Sequence, residues 1–270
     1  MRTNSEMTFL DFLAVNPVFD LHRVRVAFPD SSSTAALKRV RRAMVSGKVK
    51  RLQKDLFAAI PAGAMPKTYG PDRFLVMLTL RPDAIFCGHS ALELLGASHS
   101  TSNLCLAYTS GRRASLDLEG VSLSALANPA PLERRGSSRL GVESGDRLGQ
   151  VVHLTGRERT LVDGFWMPGR VGGLEELVRS ANGFPVLNFE LVLRVLDAYA
   201  SPRLYACTGW FLDRNREQFY VDDEILSHLR ARRPASPKYM ARHSGEATFD
   251  AHWNLMVPNV LLRGGEDVEA

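Results

Sequence analysis

The sequence predicts an α+β fold in two parts, a small basic N-terminal domain and a larger, mainly helical one. Three observations carry this. Residues 31–59 run from a serine-rich start through an amphipathic helical stretch to Gly47 and then two short strand-like runs. Lys and Arg are concentrated in the first quarter of the chain: residues 1–63 hold 11 against 5 Asp or Glu, while residues 64–270 hold 23 against 24. The remainder mixes short β-like runs at 100–153 with helical periodicity from 155 onward, and 45% apolar residues suffice to build packed cores.

The 31–59 stretch organises the rest. Leu37, Val40 and Met44 recur at spacings of three and four, so they share one helical face. Ala35, Lys38, Arg39 and Arg42 take the opposite face, with Arg41 on the flank. Gly47 follows the last turn, where a left-handed C-terminal cap needs a residue without a Cβ. Residues 48–52 and 56–59 then read as two strands joined through Gln53-Lys54-Asp55. Helix, glycine and hairpin in this order outline a winged helix-turn-helix, an expectation completed by the segments before it. Residues 8–15 form a first amphipathic helix ended by Asn16-Pro17. Residues 20–28 place Leu21, Val24 and Phe28 at helical spacing, although the Val24/Val26/Phe28 alternation would also suit a strand. The expected small core is Phe12, Leu21, Val24, Phe28, Leu37, Val40 and Met44.

Between Lys38 and Lys54 stand eight Lys or Arg and no acidic residue. Such a run repels itself and adds nothing to stability, so its expected use is attraction of a polyanion. Thr34, Ala35, Lys38, Arg39 and Arg42 are expected at base edges or groove walls. Ser31, Ser32, Ser33, Lys48, Lys50, Arg51 and Lys54 are expected at phosphates.

The domain plan is a DNA-binding domain at 1–63, a Pro-, Gly- and Ala-rich linker at 64–72, a second domain at 73–263 and an acidic tail at 264–270. The second domain opens with a helix at 71–80, followed by Ile85-Phe86-Cys87 and, after Gly88-His89-Ser90, a helix at 91–95 with Ser90 as its cap. A long loop is expected at 133–150. Thr155 and Glu158 have capping-box spacing before a helix that carries Leu161, Val162, Phe165 and Trp166. Further helices are expected at 174–181, 189–199, 202–214 and 222–232.

No motif points to catalysis. His89-Ser90 lacks the surround of a nucleophile elbow, and the histidines show no metal-ligand spacing. Gly169-Arg170-Val171-Gly172-Gly173 lacks the lysine of a phosphate loop and reads as a turn between helices. Arg230, Arg232 and Arg233 suit a helix C-terminus, with contact to DNA or a partner as the other reading. Trp166, Trp210, Phe211 and Trp253 are expected in the core. Three scattered cysteines fit buried thiols in a reducing cytoplasm, and no apolar run is long enough to span a bilayer. Neither a cofactor nor a metal is expected.

Several stretches together resemble the AbiEi family of antitoxins from type IV toxin–antitoxin systems. They are GKVKRLQKDLFAAIP from Gly47, PDAIFCGHSALELLG from Pro82, ERTLVDGFWMPGRVGGLEEL from Glu158 and GWFLDR from Gly209. The likeness covers most of the chain and rests on order and spacing. It implies a winged-helix domain that binds inverted repeats in promoter DNA and represses transcription. It also implies a C-terminal domain that neutralises a nucleotidyltransferase toxin, and the chain as a whole is read as a repressor and antitoxin without catalysis of its own. The alternatives are a module that grips the toxin directly and an enzyme that modifies it. The family residues carried over are the basic ones of 38–54, Ser90-Ala91-Leu92 and the 158–163 motif. At the wing tip Asp55 stands where the family usually has Gly, and Asp adopts a left-handed turn less readily.

Overall fold

The structure is a computed structural model and describes residues 7–29, 32–111, 113–118, 120–241 and 245–263. Ser31 and the expected acidic tail lie outside the described residues, as does the side chain of Ser33. The chain is α+β, as the sequence predicts. It divides into two compact units, one of Met1–Ala84, Ser115–Leu123 and Asp146–Val152, the other of Ile85–Ala114, Ser124–Gly145 and His153–Ala270.

In the first unit, α1 (Phe9–Val15) starts with a reciprocal cap. Thr8 Oγ1 accepts from the Asp11 amide at 3.2 Å, and the Asp11 carboxylate accepts from the Thr8 amide at 2.9 Å. The segment whose alternation suited either element is a helix, α2 (Leu21–Ala27), capped by Asp20, which accepts from Arg23 N at 2.7 Å; a short strand that the sequence did not predict, β1 (Val18–Asp20), precedes it. Next, α3 (Ser33–Val45) is capped by Ser32, whose Oγ accepts from Ala35 N at 3.2 Å. Its C-terminus closes through Lys48 N to Ala43 O at 2.9 Å and Gly47 N to Met44 O at 3.1 Å. Gly47 sits at φ 70, the left-handed position for which its lack of a Cβ suits it.

The strands β2 (Val49–Gln53) and β3 (Leu56–Ala59) follow, and the antiparallel sheet has the order β1-β3-β2. Asp55 turns the hairpin at φ 60, so the aspartate does adopt the left-handed conformation.

The buried face of α3 differs from the expected one. Ala36, Val40 and Ala43 are buried, while Leu37 and Met44 are only half-buried. Both triads have helical spacing. The alanines win because they let the helix approach Phe12, Phe19 and Phe57, whose rings fill the core.

The helix expected at 71–80 is α4 (Arg73–Leu80), capped by Asp72 through Leu75 N at 3.0 Å. It belongs to the first unit, so the division falls after Ala84 instead of in the 64–72 stretch. Phe74, Leu75, Val76, Met77 and Leu78 are all buried, and Thr79 Oγ1 donates to Val18 O at 3.4 Å. Composition marks where a chain becomes loop-like; burial decides which unit an apolar helix joins.

The chain continues with β4 (Ile85–Phe86), α5 (His89–Leu94), β5 (Leu104–Tyr108), β6 (Ala114–Leu118), β7 (Val121–Leu126), α6 (Ala130–Arg134), β8 (Val142–Arg147) and β9 (Gln150–Thr155). These strands form a six-stranded sheet of order β6-β7-β5-β4-β9-β8. The loop expected at 133–150 thus contains a paired strand, β8. The helices α7 (Arg157–Trp166), α8 (Leu174–Asn182), α9 (Phe189–Tyr199), α10 (Pro202–Arg214), α11 (Arg216–Phe219) and α12 (Asp223–Ala231) come next. The small sheet of β10 (Lys238–Tyr239), β11 (Ala247–Asp250) and β12 (Leu255–Pro258) closes the chain in the order β10-β12-β11. Trp210, Phe211 and Trp253 are buried among these helices, as expected, with Trp166 packed against them.

Two expected caps are not formed. The N-cap of α7 is Gly156, because Thr155 is the last residue of β9 and its hydroxyl pairs with Thr160 Oγ1 at 2.7 Å. Glu158 instead accepts from Asn188 N at 2.8 Å. Ser90 lies inside α5, behind the N-cap Gly88, and its Oγ accepts from Leu106 N at 2.8 Å, which pins the helix to β5. Among the described residues no helix is long and apolar enough to cross a membrane.

Candidate nucleic-acid interface

With Ala36, Val40 and Ala43 turned inward, the residues opposite on α3 are Thr34, Lys38, Arg41 and Val45, at i, i+4, i+7 and i+11. All four are exposed, Val45 at 91%. This corrects the expected placing of Arg39 and Arg41. Arg41 points outward, and Arg39 is half-buried with its guanidinium 4.5 Å from the centre of the Phe28 ring. That distance is within cation–π range, worth about 0.5–1 kcal/mol near a surface. Ala35 moves to the flank with it, and Arg42 remains exposed between flank and outer face.

The hairpin sorts its cations by sheet face. Arg51 is paired with Phe57 and Val49 with Ala59, so Arg51 shares the face that packs on α3. It is exposed, and its Nε donates to Gln53 O at 3.2 Å. Lys50 is paired with Ala58 on the other face, where its Nζ donates to Tyr69 O at 3.1 Å. Lys48 and Lys54 are exposed at the two ends of β2. Of the expected phosphate ligands, Ser32 is occupied at least in part by its cap bond, and Lys50 is turned away from α3.

Among the described residues, Lys38, Arg41, Arg42, Lys48, Arg51 and Lys54 make no ion pair. Six cations therefore stand without local neutralisation on one helix and the hairpin beside it. Val45 is the outer-face residue that the sequence reading omitted. Its signal was the i+11 spacing from Thr34, visible only once the buried face was known.

The second unit holds two buried polar networks. In the first, Asp163 accepts from Tyr108 OH at 3.0 Å, from Tyr199 OH and from Arg159 Nε at 3.4 Å. Arg159 is fully buried and also donates to Ser138 O, Leu140 O and Asn128 Oδ1 at 2.6, 3.0 and 3.2 Å. Burial and then the Asp163 charge push the Tyr108 and Tyr199 hydroxyls well above the ordinary tyrosine value. The two tyrosines therefore keep their protons as donors to Asp163, and the network holds α7, β5 and α9 together.

The second network centres on His89. Its Nδ1 lies 3.0 Å from Glu93 Oε1, and its Nε2 lies 3.5 Å from Ser100 Oγ and 3.6 Å from Glu176 Oε1. Serine, histidine and carboxylate in this order invite comparison with an acyl-transfer site. The chemistry differs, because Glu176 Oε1 accepts from His99 N at 3.0 Å, Ser100 N at 3.1 Å and Ser180 Oγ at 2.8 Å. The amides beside the serine, which could stabilise an oxyanion, already hold a carboxylate. The network joins the 98–103 loop to α8.

Arg230 and Arg232 lie over the Trp253 and Tyr205 rings at 5.6 and 5.9 Å, and Arg233 donates to Arg230 O at 3.1 Å, which suits a helix end. Gly169 to Gly173 form a turn, with a short 3-10 helix at Pro168–Arg170.

The class these observations define is an α+β protein with a cationic helix-and-hairpin surface. No protein-family model matches the chain, and no curated protein does. Among solved structures, the RV2827C protein from Mycobacterium tuberculosis is similar, with a TM-score of 0.60 over 95% of this chain and 93% of that one. The two share 19% sequence identity, so the likeness is one of fold.

Proposed function

We propose that this protein is a DNA-binding transcriptional repressor and the antitoxin of a toxin–antitoxin pair, acting in the cytoplasm and without catalysis of its own. The first unit is read as a winged helix-turn-helix, with α2 as support helix, α3 as recognition helix and β2–β3 as the wing. The observation that carries the DNA reading is the set of six cations without ion pairs on α3 and the hairpin. A folded surface gains nothing from such crowding, whereas duplex phosphates neutralise it. Lys38, Arg41 and Arg42 enter the groove; Lys48, Arg51 and Lys54 meet the backbone. The antitoxin half rests on the resemblance to the AbiEi family and assigns neutralisation of a nucleotidyltransferase toxin to the second unit.

A gel-shift titration of the whole chain on its own upstream DNA, against scrambled DNA of equal length, tests the first half. Preferential binding to the upstream DNA, lost when Lys38, Arg41 and Arg42 are all changed to Ala, is expected. Equal binding to both duplexes, or binding unaffected by the triple change, would overturn it. The second half is tested by co-expression with a neighbouring nucleotidyltransferase gene, where restored growth is expected and continued arrest would sink it.

A further inference from the structure

The outer row of α3 carries more than charge. Thr34, Lys38, Arg41 and Val45 form one line along the helix, with two cations between two side chains that end in methyl groups. Eleven residues of α-helix rise about 16 Å, the length of about five base pairs at roughly 3.4 Å each. Val45 is 91% exposed at the end of this line, an apolar side chain on an otherwise polar face. Arg39, the neighbour that sequence spacing placed on this face, is held over Phe28 instead.

We infer that Thr34, Lys38, Arg41 and Val45 are the base-reading residues, and that they select a duplex site in which guanines lie between flanking thymines. The chemistry follows from the groove edges. Arg and Lys donate to guanine O6 and N7, which present two acceptors side by side in the major groove. The methyl groups of Thr34 and Val45 pack on the C5-methyl group of thymine, the one apolar feature of that groove. Arg39, stacked on Phe28, is a phosphate-directed charge that supports affinity without choosing sequence. This inference rests on the DNA-binding reading above and adds the kind of site that is bound.

The test is enrichment of bound duplexes from a random pool by the whole chain, followed by titration of the best sequence. The parent protein should enrich guanines flanked by thymines. Arg41→Ala should erase the preference at one guanine, about 10- to 100-fold, with the thermal melting of the protein unchanged because Arg41 is exposed. Arg39→Ala should weaken all duplexes alike and leave the enriched sequence the same. Replacing the flanking thymines by deoxyuridine should weaken binding about fourfold per methyl group lost, and Val45→Ser should remove that sensitivity at one end. A preference that moves with Arg39 and not Arg41, a guanine-free site, or indifference to deoxyuridine would each overturn the inference while leaving DNA binding in place. Absence of binding to any duplex would overturn the DNA-binding reading itself, and this inference with it.

Discussion

Replacing Lys48, Arg51 and Lys54 together with Gln removes three of the six cations without ion pairs and leaves the fold alone, since all three are exposed. Each phosphate neutralised contributes about −0.9 to the slope of log affinity against log salt, so the four phosphate-directed cations, these three and Arg39, give a slope near about −3.6. Between about 50 and 200 mM salt the parent should then lose about 150-fold in affinity. With Arg39 left, the slope should fall to about −0.9 and the loss to about fourfold. Fluorescence anisotropy of a labelled duplex at four or five salt concentrations measures both slopes. A parent slope near zero would refute the phosphate contacts altogether. An unchanged slope in the triple variant would refute the role given to the hairpin while sparing α3.

Other expectations concern the second unit. A Cβ on Gly209 would lie 2.1 Å from the buried Trp253 ring, whose Nε1 donates to Asp213 at 3.1 Å. Gly209→Ala should therefore cost about 1–3 kcal/mol as overpacking and lower the melting temperature by several degrees; an unchanged melting curve would contradict this. Burial pushes the Glu176 carboxyl up, but hydrogen bonds from Ser100, Ser180 and His99 outweigh it and hold it below the ordinary value. A carboxyl lowered on folding gives stability that is complete above its unfolded value and is lost as pH falls through the folded one. Glu176→Gln should then be less stable than the parent at pH 7, with the gap closing below about pH 4. A gap constant from pH 7 to pH 3 would show that the charge is not involved. Burial pushes the Cys87 and Cys207 thiols up to about 12, so neither should react with a disulfide reagent at pH 8 until the protein is denatured. Rapid labelling of either in the native state would contradict their burial.

Much of the candidate surface was legible in the sequence because its causes are local. Charge segregation needs only a count, Gly47 and Asp55 stand where the backbone must turn left-handed, and the serine before α3 caps the helix through its own hydroxyl. The buried tryptophans Trp210 and Trp253 followed from apolar periodicity. The expected caps at Thr155 and Ser90 failed for a common reason. Each side chain had the right spacing for a local bond, and each found a better partner elsewhere in the fold, at Thr160 and at the Leu106 amide.

By itself the sequence determined that a basic helix would be followed by a basic hairpin, and which residues could share a helical face. Only the tertiary structure decided which face would be buried. Periodicity relates residues on one helix to each other, but burial is fixed by what packs against that helix. Here phenylalanines from α1, β1 and β3 draw Ala36, Val40 and Ala43 inward, which turns Arg41 out and carries Arg39 to Phe28. The same reason sends Lys50 to Tyr69 and places α4 in the first unit, since a strand's pairing register and a helix's apolar face are settled by partners distant in the chain.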